Sequence, residues 1–445
     1  MPPRRRPGHR RSPRWQHRLE GPNLRRSGAG NDVDRAGQRL ALGGSGLTPT
    51  APGHAKVPLI IPALLIAGSA VSILSTDLYV PSLPHLPAYF DTSAETVQLT
   101  MSLNLLCFAA AQLVHGPLSD RFGRRPVLLA GMAGFLIFTI VCGLAPSIEV
   151  LIAARALQGV MACAQAVVGL AIIRDLYSGP GSVRLLAAYG MAVAMAPAVG
   201  PLIGGHVHVW FGWRANFGLL ALAVMVVTVL LWRYLPETTQ PDREALAPRR
   251  LGRSYGALLS GRRYLGYSLV MAAAMGGLFA FITAGPFVFI DRLGVATNHY
   301  GLYQAVIVLA FFFGSLAANR GVNRIGIEAL LRLGLSLMAA ATLVPLMLLV
   351  LGLEHPATLT FGFALYTLGM GPLFATAPVK ALDATPATRG AASAMLGTLQ
   401  MAGAGLAALA VGVLHDGSAW PLAWTLLASG LLTAVIYGIA RPWKS

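Results

Sequence analysis

Charge is scarce in this 445-residue chain: 11% of its residues are charged, against about 25% in an average soluble domain. So few charges cannot cover the surface of a soluble protein of this length. They suffice if lipid covers most of it. Acidic residues are the scarcer sign, 17 Asp and Glu against 34 Lys and Arg. Cysteine is nearly missing. Cys107, Cys142 and Cys163 lie in apolar stretches without CxxC or Cys/His metal spacing, and read as small buried residues. The chain also lacks a His/Glu metal set, a GxSxG elbow and paired carboxylates inside apolar runs. These absences argue against a membrane-embedded enzyme, and no metal or cofactor is expected.

Long hydrophobic runs are what the chain has. A helix needs roughly twenty apolar residues to cross the hydrocarbon core. Twelve stretches qualify, near 58–83, 96–116, 126–145, 149–173, 184–208, 215–235, 265–290, 300–319, 329–351, 357–379, 389–414 and 419–440. Helix is the expected state, because an isolated segment in lipid must satisfy its own backbone. The polar, basic stretch 236–263 divides them six and six. The expected organisation is a tail 1–56, a first bundle 57–235, a linker 236–263 and a second bundle 264–441.

The net charge of +17 raises the question of a nucleic-acid partner. The distribution answers against one. Residues 1–56 hold twelve Lys and Arg, and most others sit in short loops between apolar runs. With the N-terminus inside, the loops and C-terminus on that side carry nineteen basic residues and the other side only Arg214 and Arg292. This asymmetry places both termini in the cytoplasm, as expected for a multi-pass protein of a bacterial inner membrane. The Arg-, Gly- and Pro-rich tail is expected to be disordered. It fits either contact with anionic lipid or a misplaced start codon.

The junction of the second and third spans reads GPLSDRFGRRP, Gly116 to Pro126; that of the eighth and ninth reads GSLAANRGVNRIG, Gly314 to Gly326. Gly116 and Gly314 correspond at an offset of 198 residues, as do Leu118 and Leu316. Duplicated halves with a site between them are a transporter architecture. In the first copy Gly116 permits close helix approach and Asp120 is expected to cap a helix end. Arg121, Arg124 and Arg125 anchor that face.

Here the sequence resembles the major facilitator superfamily, over roughly residues 58–440. The resemblance implies an all-α membrane fold of twelve transmembrane helices in two pseudo-symmetric six-helix bundles. GPLSDRFGRRP is similar to the family's loop between helices 2 and 3, implying a conformational latch of Gly116, Asp120, Arg121, Gly123, Arg124 and Arg125. Topology alone is the other reading. RALQG, Arg155 to Gly159, resembles the helix 4 motif linked to proton coupling; alternatively Arg155 snorkels to the interface. APAVGPLIGG resembles the antiporter motif, here Pro197, Gly200, Pro201, Gly204 and Gly205; the other reading is ordinary Gly/Pro packing. STDLYVPSLP, Ser75 to Pro84, is similar to the Bcr/CflA drug-efflux branch, as are Arg174 to Tyr177 and ASAMLGTLQ.

Asp77 is the one acidic residue well inside a span. A carboxyl group there can carry a proton in one state and a charge in another. The competing reading is a cap at the break before Pro81 and Pro84. Asp77 is therefore a candidate proton-coupling residue, and the helix 4 resemblance implies Arg155 as its companion. Tyr79, Asn104, Phe108, Gln112, Gln165 and Gln400 are candidate cavity residues, each of the amides equally readable as interhelical glue. Met161 and Met195 are further candidates for an adaptable apolar wall. His206 and His208 read as interfacial. The expected function is proton-coupled efflux of a small amphiphilic or drug-like substrate by alternating access, from a monomer driven by the proton gradient. The alternative is an exporter of one endogenous metabolite, such as an amino acid.

Overall fold

The computed structural model describes residues 60–177, 179–385 and 389–440, whose regular elements are all helices, with no strand among them. The tail 1–56 lies outside the described residues. The first half comprises α1 (Ile60–Asp77), α2 (Ala94–Phe122), α3 (Arg124–Leu144), α4 (Ile148–Ala164), α5 (Gly179–Phe211) and α6 (Trp213–Tyr234). A tight turn at Val80–His85 and a short helix, Leu86–Phe90, extend α1. A π-turn, Gln165–Gly169, carries α4 into Leu170–Leu176.

The second half begins with α7 (Arg262–Pro286). Its next helix runs from Thr297 to Ala341 as one element, broken at Gly326, where φ is +80°. At 1.5 Å per residue, a straight helix of 45 residues would be about twice the thickness of the hydrocarbon core. The chain folds back at Gly326, so that Leu330 reaches the position of Gly321. We therefore treat 297–325 as α8 and 327–341, resumed by Leu343–Val350, as α9. Then follow α10 (Pro356–Asp383), α11 (Arg389–Val413) and α12 (Trp420–Ala440). Eleven described segments are long and apolar enough to span a membrane, and the one of 54 residues holds two spans, giving twelve.

Gly326 answers Gly123, which joins α2 to α3 at φ +99°. Both junctions need a left-handed backbone that glycine adopts without Cβ strain. The internal repeat is thus structural as well as textual. Outward-facing Ile137, Leu144, Trp232, Leu333 and Val350 are exposed. Such an apolar surface is stable against lipid and not against water.

The linker, expected as a polar loop, contains a helix, Pro248–Ser260. Proline suits a helix's first turn, and Leu251, Tyr255 and Leu258 recur at i, i+4, i+7. Leu258 is fully buried, and Tyr255 donates from Oη to the Leu113 carbonyl of α2 at 2.9 Å.

The two halves meet along two seams, α2 with α11 and α5 with α8. Glycines allow both: Gly405 sits against Leu106, and Gly412 against Gln98. The second seam is described with the site.

Candidate functional site: a cavity closed at one end by Asp77

Between the halves lies a cavity of about 1,110 Å³. It reaches from Asp77, Gln304 and Phe281 to Arg124 and the exposed Arg174 and Arg250, and opens at that end. Of the expected cavity residues, Asn104, Phe108, Gln112 and Gln400 line it. Tyr79 and Gln165 do not. Tyr79 is buried beneath Arg155, with its hydroxyl 3.2 Å from Thr100 Oγ1. Gln165 is fully buried and donates to the Leu65 carbonyl at 2.9 Å, tying α4 to α1. Met161 and Met195 are also off the wall; Met161 packs on Gly134. Met275, Met401 and Phe279 supply the adaptable apolar surface instead.

Asp77 ends α1 because the next turn contains Pro81 and Pro84, which lack the N–H groups a helix requires. It is 3% exposed. Its Oδ1 accepts a hydrogen bond from Gln304 Nε2 of α8 at 3.3 Å. This carboxylate is not the local cap that the prolines suggested: its partner belongs to the opposite half. The same Gln304 amide donates to the Pro197 carbonyl of α5, also at 3.3 Å. Gln304 was not foreseen, because nothing local in YGLYQAV marks it.

The α5 motif is what makes this meeting possible. A Cβ at Gly200 would stand 2.6 Å from Asp77 Cβ, and one at Gly204 would collide with the Leu78 carbonyl oxygen. On the other face, a Cβ at Gly205 would be 2.6 Å from the Thr297 carbonyl oxygen, and one at Gly301 would be 2.5 Å from the Leu202 nitrogen. Pro201 lies between these contacts and Pro197 just before them. The glycines therefore bring α1, α5 and α8 together around Asp77 and close the cavity's far end.

Arg155 does not snorkel. It is fully buried, and Nη1 donates to the Ser75 carbonyl at 2.9 Å and to Gln158 Oε1 at 2.5 Å. Its guanidinium lies 5.3 Å from the Tyr79 ring centroid. Gln158 is held in turn by Thr139 Oγ1 at 2.8 Å, and Asn104 donates to the Arg155 carbonyl at 2.7 Å. No ion pair joins Arg155 to Asp77 among the described residues. The arginine instead grips α1 two residues before Asp77 and keeps a positive charge behind it. Removing a hydrogen-bonded charge costs about 1.5–3 kcal/mol per bond. Arg155→Met should accordingly lower the thermal unfolding midpoint in detergent, and Arg155→Lys should recover only part of the loss because lysine lacks the planar fork.

At the open end, Asp120 is not a helix cap. It lies in the last turn of α2 and pairs with Arg124 at 2.6 Å, while Arg124 Nε also meets Asp175 Oδ2 at 3.1 Å. The cap comes from Glu237, in the linker: its carboxylate accepts from the Arg124 and Arg125 backbone nitrogens at 2.9 and 3.2 Å. A carboxylate there also answers the positive end of the α3 dipole. Gly123 must be glycine twice over, since a Cβ would lie 2.5 Å from Glu237 Oε2. Arg121 donates to the Arg243 carbonyl and Arg125 to that of Trp232, at 2.5 and 2.9 Å. Gly116 makes no close helix approach; the nearest atom to a Cβ there is Val167 Cγ1 at 3.9 Å. Glu237→Ala should destabilise this end by about 0.5–2 kcal/mol, as cap removals do. Faster amide exchange confined to the start of α3 would register it.

His208, expected at the interface, is part of the closed end. It stacks on His85 with centroids 4.4 Å apart and lies 2.9 Å from Ser82 Oγ through Nδ1. His85 Nε2 lies 2.9 Å from Thr297 Oγ1 across the seam. His206 instead turns Nδ1 to the Leu202 carbonyl at 2.8 Å.

Comparison with known proteins agrees with this architecture. Residues 65–408 match the model of the Major Facilitator Superfamily. A chloramphenicol resistance protein of Pseudomonas aeruginosa is 31% identical over 393 residues, covering 87% of this chain and 90% of that protein. The multidrug transporter MdfA of Yersinia pestis is 31% identical over 343 residues, 77% of this chain and 84% of that one. Multidrug resistance protein D of Escherichia coli is 30% identical over 378 residues, 84% and 94% respectively. Among solved structures, the xylose transporter XylE of E. coli in a partially occluded inward-open conformation superposes with a TM-score of 0.70. It is 14% identical, covering 88% of this chain and 100% of that one, a likeness of fold. The chain is a transporter rather than an enzyme, and it belongs to the Major Facilitator Superfamily, in its Bcr/CflA drug-efflux branch.

Proposed function

We propose that this protein exports amphiphilic, drug-like molecules in exchange for protons, with Asp77 as the proton-carrying group and Arg155 holding its helix. The observation that carries this reading is the position of Asp77: a lone carboxyl at the deep end of an amide- and apolar-lined cavity, touched from the other half by Gln304. A buried carboxylate is costly unless neutralised, either by a proton or by a cationic or hydrogen-bonding substrate. That competition is the chemical core of exchange. Met275, Met401 and Phe279 favour breadth over selectivity, because thioethers and rings adapt to different shapes.

In this reading the membrane is the bacterial inner membrane. The open end, ringed by Arg124, Arg174 and Arg250, faces the cytoplasm along with both termini, following the positive charge. The protein works as a monomer and needs no cofactor. Energy comes from about 1.4 kcal/mol per pH unit and about 2.3 kcal/mol per charge per 100 mV. The two halves rock, so that the cavity opens in turn at each end.

The test is uptake into everted membrane vesicles on imposing a pH gradient, scored over a panel of lipophilic cations, neutral antibiotics and amino acids. Export of several unrelated amphiphiles supports the proposal. Movement of one amino acid alone would favour a dedicated metabolite exporter, and gradient-independent movement of every compound would refute proton coupling.

A further inference from the structure

Gln304 shows a one-sided hydrogen-bonding arrangement. It is 1% exposed. Its amide nitrogen serves two acceptors of the opposite half, Asp77 Oδ1 and the Pro197 carbonyl, each at 3.3 Å. Its Oε1 is buried with no partner. Buried amide oxygens are normally satisfied, so leaving one orphaned is a cost the arrangement must recover elsewhere. It is recovered best when Asp77 is ionised, because a charge-assisted hydrogen bond is roughly twice as strong as a neutral one. A protonated Asp77 offers a weaker acceptor. Its new O–H could reach Gln304 Oε1 only if the amide turned over, which would abandon the Pro197 carbonyl.

The surrounding geometry makes this bond a closure between halves. Gly301, one turn before Gln304 on α8, lies against Pro201 and Leu202 of α5, and Gly200 lies against Asp77. Opening the far end requires α8 to leave α1 and α5, and so requires the Gln304 contact to break. The charged and titratable groups facing Asp77 are Arg155 of α4, acting behind the Ser75 carbonyl, and Tyr300 of α8, whose hydroxyl is buried without a partner. From α5, only Pro197 and Gly200 face it. Among the described residues, Gln304 is thus the one group that hydrogen-bonds the carboxylate to the second half.

We propose that Gln304 is a positioning residue that locks the empty, deprotonated carrier shut at the Asp77 end, and so enforces coupling. The inference rests on the reading of Asp77 as the proton carrier. A proton on Asp77 weakens the lock. A cationic substrate in the cavity competes for the same carboxylate and also weakens it. The two loaded forms can then change conformation, while the empty charged form is held. If the empty form were free to cross, it would pick up a proton outside, return and release it, and the gradient would drain with no export.

The test uses purified full-length protein in liposomes under a pH gradient, without substrate. The readout is proton leak, alongside substrate binding. Gln304→Met preserves length and removes the donor. Its substrate-free leak should rise about tenfold, the factor that losing one such hydrogen bond carries, with substrate binding retained or tightened, because Gln304 no longer competes for Asp77. Gln304→Glu supplies a second reading. Ionised, it repels Asp77 and leaks; protonated, it again offers a donor, so its leak should fall as pH falls. Wild-type tightness in both variants overturns the proposal, as does parallel loss of binding and transport without leak. Asp77→Asn separates the two levels. If it retains proton-driven export, the reading of Asp77 itself fails; if it loses export while Gln304→Met stays tight, only the lock fails.

Discussion

Asp77→Asn is expected to abolish pH-driven accumulation while leaving substrate exchange across the membrane intact. Asparagine keeps the shape of the side chain and an oxygen that can accept from Gln304, so the meeting of α1, α5 and α8 survives. What it loses is the ability to exchange a proton. With one pH unit imposed, a carrier moving one proton per substrate concentrates it up to about tenfold. The variant should bring the substrate only to equality. Everted vesicles loaded with labelled substrate report both quantities, gradient-driven uptake and exchange at equilibrium. A variant that still concentrates its substrate in response to the gradient would show that the proton travels on another group.

Gly204→Ala is expected to have an effect of similar size by a different route. The added methyl would collide with the Leu78 carbonyl oxygen. That atom is backbone, and cannot swing aside as the tip of a side chain can. α5 must therefore move away from α1, taking with it the Gly200 contact on Asp77 and the Pro197 carbonyl that Gln304 holds. Overpacking of this kind costs about 1–3 kcal/mol. Export should fall by about 5- to 150-fold, since each 1.4 kcal/mol carries a factor of about ten. Thermal unfolding in detergent and vesicle export together check the claim, and a variant unchanged in both would show that α1 and α5 are not required to approach this closely. Alanine at Gly116 is a useful control, because nothing there lies nearer than Val167 Cγ1 at 3.9 Å.

Much of the fold was legible because its signals are local. Twenty-residue apolar runs and basic loops on alternate connections each depend on a short window. The position of the α2–α3 junction was legible, but its turn and the echo at Gly326 were not: Gly116 and Gly314 are 198 residues apart, whereas Gly123 and Gly326 are 203 apart. The linker helix was missed, because its polar, basic composition read as a loop although Leu251, Tyr255 and Leu258 recur at helical spacing. Other features depend on distant partners. The Asp120 carboxylate looked like a cap until Glu237, more than a hundred residues later, proved to hold that helix end. Gln165 and Gln400 carry the same side chain in similar apolar surroundings, yet one ties α4 to α1 and the other faces the cavity. Arg155 lies close to a helix start, which suggested snorkelling, but its side chain turns inward to the Ser75 carbonyl and Gln158.

The sequence by itself determined that this chain is helical, spans a membrane, is built from two related halves and carries one carboxyl group well inside a span. These follow from composition and period, because lipid leaves an isolated segment no partner but its own backbone. Only the tertiary structure decided which side chains meet that carboxyl group. Asp77 and Gln304 are 227 residues apart, and their contact exists because glycines on α5 and α8 let three helices approach without side chains between them. Such a meeting is a property of packing between elements, and no local window contains it.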